Sequence, residues 1–329
     1  MPSINITVGP SVSDPATIRA GIEAGVRGFR VSAARNSPEK LGHWADLIRT
    51  AAAQARTEVQ IHLDLPGPKT HLVTRHPVLL DRPVSIAYAA DAQPDSDLYL
   101  QGTMLTSLIA AGDVLIVGDG EDALLVERLT PGGCIVRPLT AGNLDGRFGV
   151  VKAQDGGASR GVGADVDPLL NVAASAGYSA VLVSFTESAD DVRRIRERTP
   201  LAVWAKIETA AGVASTQDIA VAADGVLLGR GDLLLDAGWV EFHAQEASAL
   251  AQLRRLGKPF IVGTQLLTSL DGNWLPHRSE LAYLSRLLEE GVGGVLLSDE
   301  TIIGSQPLRA IETVRALIER YAKSQDVAA

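Results

Sequence analysis

Short apolar runs alternate with longer stretches of helical period along most of this chain. The runs INITVG (4–9), GFRVSAA (28–34), VQIHLDL (59–65), SAVLVSF (179–185), LAVWAKIE (201–208), DGVLLG (224–229), KPFIVGTQ (258–265) and GGVLLSDE (293–300) read as strands. Helical patterns follow all but the third directly. The first opens with Asp14 as N-cap, Pro15 at the first helical position and Gly25 as its stop, and the second opens with Ser37 and Pro38. Further helices are expected over the stretch after Ser188, around 215–222, and over 240–256, 279–290 and 307–323. Strand–helix alternation implies a parallel sheet, and eight units imply a closed (β/α)8 barrel of the α/β class rather than a doubly wound sheet. The first strand is not followed by the glycine-rich turn a dinucleotide-binding sheet would carry.

The rhythm breaks between about 72 and 155. PVSIAYAA, DVLIVGDG and DALLVERLTPGGCIVRPLTAG are short alternating runs cut by Gly, Asp and Pro, and TPGG between two of them signals a hairpin. The reading is a barrel formed by 1–71 and 156–329, with a small β domain, 72–155, inserted after barrel strand three. GDGEDALL lacks the spacing of a calcium loop and reads as a hairpin turn.

Composition narrows the picture. The chain has 329 residues, 46% of them hydrophobic, which is ample for a core. Its formal net charge of -9 disfavours nucleic acid and anionic membrane as partners. A single cysteine, Cys134, excludes an intrachain disulfide and a cysteine metal site. No apolar run reaches ~18 residues and MPSINITVGP has no leader pattern, so a cytoplasmic protein is expected.

Barrel sites form at the C-terminal ends of the strands. Those ends carry Arg30, Asp64, Ser184, Lys206, Glu208, Asp232 in GRGD, Thr264, Ser298 and Glu300. In AVWAKIETAAG, Lys206 and Glu208 stand two residues apart and so share one face of a strand. A buried strand keeps such a pair as a structural ion pair or as part of a site. Glu208 and Asp232 are the hard oxygen ligands that Mg2+ (or Mn2+) takes, with water and substrate oxygens completing the shell. Glycines flanking Arg230 let backbone N–H groups, that of Gly231 included, approach a ligand. Arg30 offers a planar fork for phosphate or carboxylate. Taken singly, Asp64 reads as a turn residue, Thr264 as a satisfied core hydroxyl and His62 as packing.

The set resembles the pyruvate kinase family. TVGPSVSDPATIRAGIEAGVRGFRVS resembles its opening strand and helix ending in the substrate arginine, LDLPGPK its Asp-x-x-Gly-Pro turn, and AGDVLIVGDGEDALLVE its inserted lid. AKIETAAGV, LLGRGDLLLDAG, KPFIVGTQLLTSL and GGVLLSDETIIGSQP resemble its lysine–glutamate, Arg-Gly-Asp and last two barrel segments, so that the likeness spans about 5–320. The resemblance implies a phosphoenolpyruvate/pyruvate site. Glu208 and Asp232 would hold the metal and Lys206 would stabilise the enolate and the phosphoryl group. Thr264 would stand by the methylene carbon, Arg30 would hold phosphate, and Ser184, Gly231 and Asp232 would line the substrate.

The departures lie elsewhere. The family's C-terminal regulatory domain is not expected. The monovalent-cation set keeps Asp64 but has Ser32 and Ala34 at its other positions, so a K+ requirement is not implied. Arg35-Asn36 replaces a His-Gly, His71 and Glu187 stand at basic positions, and Ile303 stands where a nucleotide-holding lysine is expected; Arg35 or Arg147 is the candidate replacement for phosphate binding. The expected function is a phosphotransferase on phosphoenolpyruvate and ADP/ATP. The alternatives are a Mg2+-dependent lyase, decarboxylase or group-transfer enzyme on a pyruvate-like 2-oxo acid, and a non-catalytic sensor. A homo-oligomer is expected.

Overall fold

The computed structural model describes residues 1–88, 97–102, 109–153 and 166–322, the Arg35 side chain excepted. Eight strands, β1 (Ser3–Thr7), β2 (Val26–Ser32), β3 (Gln60–Leu65), β4 (Ala180–Val183), β5 (Ala202–Ile207), β6 (Gly225–Gly229), β7 (Phe260–Gly263) and β8 (Gly294–Leu297), close a barrel in sequence order with every pair parallel. Ten helices are described: α1 (Pro15–Glu23), α2 (Pro38–Ala55), α3 (Asp167–Ser175), α4 (Ala189–Arg196), α5 (Ala210–Ala214), α6 (Thr216–Ala222), α7 (Arg230–Leu256), α8 (Arg278–Glu289), α9 (Asp299–Ile302) and α10 (Pro307–Tyr321). The caps act as their chemistry dictates: the Asp14 carboxylate accepts the Ala16 and Thr17 N–H groups, and Ser37 caps α2 ahead of Pro38.

Register explains the interior. Ser32, Asp64, Leu182, Trp204 and Gly225 pair in one row across β2 to β6, so they share a face, as do residues two positions along each strand. Leu182, Leu227, Ile261 and Leu296 pack there with Trp204. His62 stacks against Trp204 at 5.3 Å between ring centroids. Two residues further along the same face come Ser184 and Lys206, then Glu208; the alternation that fills the barrel also delivers its polar end.

β3 leads into the inserted strands. Seven of them close a second barrel in the order Gly133–Pro138, Val84–Tyr88, Leu98–Gln101, His71–Thr74, Arg147–Lys152, Val114–Val117 and Asp122–Thr130. All neighbours are antiparallel except Val84–Tyr88 with Leu98–Gln101. Pro131-Gly132 forms the expected hairpin turn, Gly132 supplying the positive φ of 80° that a side chain resists. The barrel has its own core, with Leu72, Ile86, Leu100, Leu124, Val136 and Cys134 fully buried; burial pushes the Cys134 thiol up to about 11, so it is an inert apolar filler.

The described residues group into two units. One is drawn from Met1–Pro66, Val162–Arg230 and Glu246–Ala329, the other from Gly67–Gly161 together with Gly231–Gln245. The helix expected over 240–256 is present as the longer arm of α7; a shorter helical arm opens at Arg230, directly after β6, and the two meet at a kink at Gly238 (φ 75°, ψ 154°). No helix among the described residues is long and apolar enough to cross a membrane.

Candidate active site

At the C-terminal ends of β2 to β5 the structure gathers Arg30, Asp64, Ser184, Lys206 and Glu208. The Lys206 ammonium lies 3.0 Å from Asp64 Oδ1 and 3.2 Å from Glu208 Oε1, and donates to Ser184 Oγ at 3.0 Å. Ser184 in turn donates to the Leu65 carbonyl at 2.6 Å. The Arg30 guanidinium puts Nε (2.8 Å) and Nη2 (2.5 Å) on Asp64 Oδ2 and reaches Thr7 Oγ1 at 3.3 Å. Asp64, Lys206, Glu208 and Ser184 are all buried. Two cations and two carboxylates balance, which is what such burial demands, since an unpaired charge there costs several kcal/mol.

Asp64 is the hub. Burial works to raise its carboxyl, but the Arg30 and Lys206 charges and their hydrogen bonds overcome that and hold it below the usual carboxylate range. Burial likewise opposes the Arg30 charge, yet Asp64 first, then Glu208 and Asp299, push the guanidinium above its ordinary value. His62, buried beneath, is pushed down to about 4 by desolvation and is a neutral ring at pH 7.

Glu208 is set by its neighbours. Its Oε2 accepts the Phe185 N–H at 3.1 Å, a donor aimed by a left-handed backbone at Phe185 (φ 51°). Its side chain crosses Gly229, where an added Cβ would lie 2.8 Å from its Cγ and Oε1, so only glycine fits. Gly229 thus leaves room for the Glu208 side chain.

Thr264 stands just past β7 with φ 79°, followed by Gln265 at 50°. A β-branched residue in that region is strained by about 1–3 kcal/mol and is held there by its surroundings. The Thr264 carbonyl accepts Arg230 Nη1 at 2.8 Å, and the Leu266 and Leu267 N–H groups donate to Glu300 Oε1 at 2.9 and 2.8 Å. Ser32 is half-buried at the end of β2, and its carbonyl accepts the Asn36 side chain at 2.8 Å.

In the second unit, Asp232, next to Gly231 in the first turn of α7, pairs with Lys69, its Oδ1 2.5 Å from the ammonium. Arg147 donates to His71 Nδ1 at 3.1 Å. His71 is pushed down to about 4 by burial, then by Arg147 and Lys69, so its ring nitrogen is free of a proton and accepts. Sequence reasoning quoted Lys69 within LDLPGPK without giving it a partner, and passed over Phe185, Tyr283 and Glu246. Glu246 left a signal: it precedes the buried Ala249, Leu250 and Leu253 at helical spacing, a charge on an apolar stripe.

The donor set suits a hard divalent cation. Glu208 is a buried carboxylate that accepts the Phe185 N–H and pairs with the Lys206 ammonium, a hard oxygen donor at the barrel rim. Among the described residues no cluster of three or more His, Cys, Asp or Glu side chains forms a cage.

An inward-facing lysine–carboxylate cluster at the C-terminal rim of a parallel eightfold barrel, with a second β-barrel inserted after strand three, defines a barrel-enzyme architecture. A family model described as the pyruvate kinase barrel domain matches residues 2–311, and the chain belongs to the pyruvate kinase family. It is 27% identical over 323 residues to pyruvate kinase of Methylorubrum extorquens, covering 96% of this chain and 68% of that one. It is 28% identical over 332 residues to pyruvate kinase of Aeropyrum pernix, covering 96% and 70%. The crystal structure of Cryptosporidium parvum pyruvate kinase superposes with a TM-score of 0.87 over 97% of this chain and 70% of that one; at 20% identity that likeness shows the fold.

Proposed function

We propose that this chain is a phosphotransferase acting between phosphoenolpyruvate/pyruvate and ADP/ATP. The observation that carries the reading is the buried Arg30–Asp64–Lys206–Glu208 cluster in a chain of this family. Lys206 holds an ammonium against the position where negative charge grows on the substrate oxygen, in a site of low dielectric where a fixed charge acts strongly. Asp64 keeps that ammonium and the Arg30 fork in place, and Arg30, with 21% of its side chain exposed, presents its remaining N–H groups to a phosphate. The Thr264 hydroxyl serves the proton added to or taken from the methylene carbon, with Ser184 and the backbone at Gly231 positioning the substrate. A Mg2+ or Mn2+ ion on Glu208, with Asp232 as the second ligand expected from the sequence, would supply neutralisation of the substrate's carboxylate and oxyanion charge.

A second reading keeps the chemistry at carbon and drops the nucleotide. It is favoured by Ile303, 66% exposed where a nucleotide-holding lysine is expected, and by Glu187 in place of a basic residue. Purified protein with phosphoenolpyruvate, Mg2+ and ADP is expected to form ATP. Absence of ATP, with pyruvate methyl protons still exchanging into deuterated water, would establish the second reading and reject the first.

A further inference from the structure

We infer that Arg230, braced by Glu246 and Tyr283, is a positioning residue that fixes the backbone of Thr264 and thereby aims its hydroxyl. This rests on the reading of Thr264 as the proton-transfer hydroxyl. Two consecutive non-glycine residues, Thr264 and Gln265, hold positive φ, and no hydrogen-bond ladder of β7 reaches them. What holds them is a guanidinium. Arg230 Nη1 donates to the Thr264 carbonyl at 2.8 Å and to the Gln265 carbonyl at 3.4 Å. Its Nε donates to Glu246 Oε1 at 2.8 Å, and its plane lies over the Tyr283 ring, 4.1 Å from the centroid. Tyr283 closes the circuit by donating its hydroxyl to the same Glu246 oxygen at 2.6 Å. Burial keeps that phenol well above its ordinary value, so it stays a donor. On the other side Glu300 takes the Leu266, Leu267 and Ser298 N–H groups. The loop is therefore gripped at the Thr264 and Gln265 carbonyls by a cation and at the following amides by a carboxylate, with Thr264 held directly by the cation.

A buried ion pair of this kind is a poor source of stability compared with apolar packing, and its best-attested use is to specify one conformation. Only a planar fork meets these partners at once: lysine keeps the charge and loses the geometry.

The test measures deuterium exchange into the pyruvate methyl group with Mg2+, alongside the pyruvate KM and the thermal midpoint, for wild type, Thr264→Ala, Arg230→Lys and Tyr283→Phe. Misplacement of a reacting group by about 1 Å costs about a hundredfold, so Arg230→Lys is expected to slow exchange by about that factor with KM and midpoint little changed. Tyr283→Phe, which keeps the stacked ring, is expected to show a smaller loss of the same kind and covers the case in which Arg230→Lys fails to fold. Full exchange in both variants while Thr264→Ala is dead would overturn the clamp and leave the Thr264 reading standing. Full exchange in Thr264→Ala, or none in wild type, would instead reject that reading. The clamp is then decided by crystal structures of the variants, where Thr264 is expected to leave the left-handed region; a Thr264 still at positive φ rejects it.

Discussion

Lys206 is a buttress in the structure, and the proposed function makes it a reagent as well. Its three ammonium hydrogens meet Asp64, Ser184 and Glu208 within 3.0–3.2 Å, so removing it takes a cation from two buried acids at once and leaves Arg30 bonded to Asp64. Breaking a buried pair typically costs about 3–5 kcal/mol. Lys206→Met is expected to lose that order of stability in urea titrations, along with all turnover. Adding Glu208→Gln to that variant removes the orphaned charge and should return most of the stability but none of the activity. Recovery of activity, or no recovery of stability, would contradict the assigned roles. His62 gives a pH prediction at the same scale. Its imidazole sits near 4 in the folded protein against an ordinary 6.5. Between those values the unfolded chain binds a proton that the native state refuses, so stability is complete above about pH 6.5 and falls as pH drops toward 4. At about 1.4 kcal/mol per pH unit the full loss is on the order of 3 kcal/mol. His62→Phe is expected to flatten the urea midpoint of the parallel barrel between pH 7.5 and 5, while a slope of the same sign from His71, also held near 4, stays in the transition of the inserted barrel. Arg30, Lys206, Glu208 and Asp64 were legible as residues because charges at the ends of apolar runs stand out. Their pairing was not, because it is set by register between strands far apart in sequence.

At the scale of elements, short apolar runs marked all eight barrel strands, yet the C-terminal ends of most were read too long. β7 stops at Gly263 because Thr264 and Gln265 are left-handed, and β8 stops at Leu297 because Ser298 turns to φ -110°, ψ -93°. Those departures are where the polar residues are presented, so local propensity fails at the site itself, as expected where function constrains the backbone. The short arm of α7 before Gly238 escaped notice because GRGD looks like a loop by composition and the arm carries Gly231 and ends at Gly238, while the arm that follows was legible from its helical period. The same scale yields a test of Gly229. A methyl group added there would meet the Glu208 side chain at 2.8 Å. Gly229→Ala is therefore expected to cost about 1–3 kcal/mol by overpacking and to raise the Mg2+ concentration for half-maximal activity. An unchanged Mg2+ dependence would show that Glu208 is not a ligand.

For the whole molecule, the decisive feature is that, among the described residues, the inserted barrel has an apolar cluster separate from the one inside the parallel barrel. Leu182, Leu227, Ile261 and Leu296 fill the parallel barrel with Trp204, while Leu72 through Val150 fill the inserted one without drawing on any barrel strand. That a second β-barrel follows β3 was visible in the break of rhythm there, where short segments cut by Gly, Asp and Pro replace the strand–helix alternation. That Gly231–Gln245 groups with the insertion was not visible, because nothing local to that stretch says which body it packs with. Separate cores imply separable unfolding, since a cooperative unit is bounded by its own apolar contacts. Leu100 is fully buried in the inserted barrel, and truncating a leucine in such a place costs about 2–5 kcal/mol. Leu100→Ala is expected to lower one calorimetric transition and leave another in place, whereas Leu297→Ala, buried in the parallel barrel, lowers the other. If either variant shifts a single transition as a whole, the two bodies share one cooperative unit and the reading of independent cores is wrong.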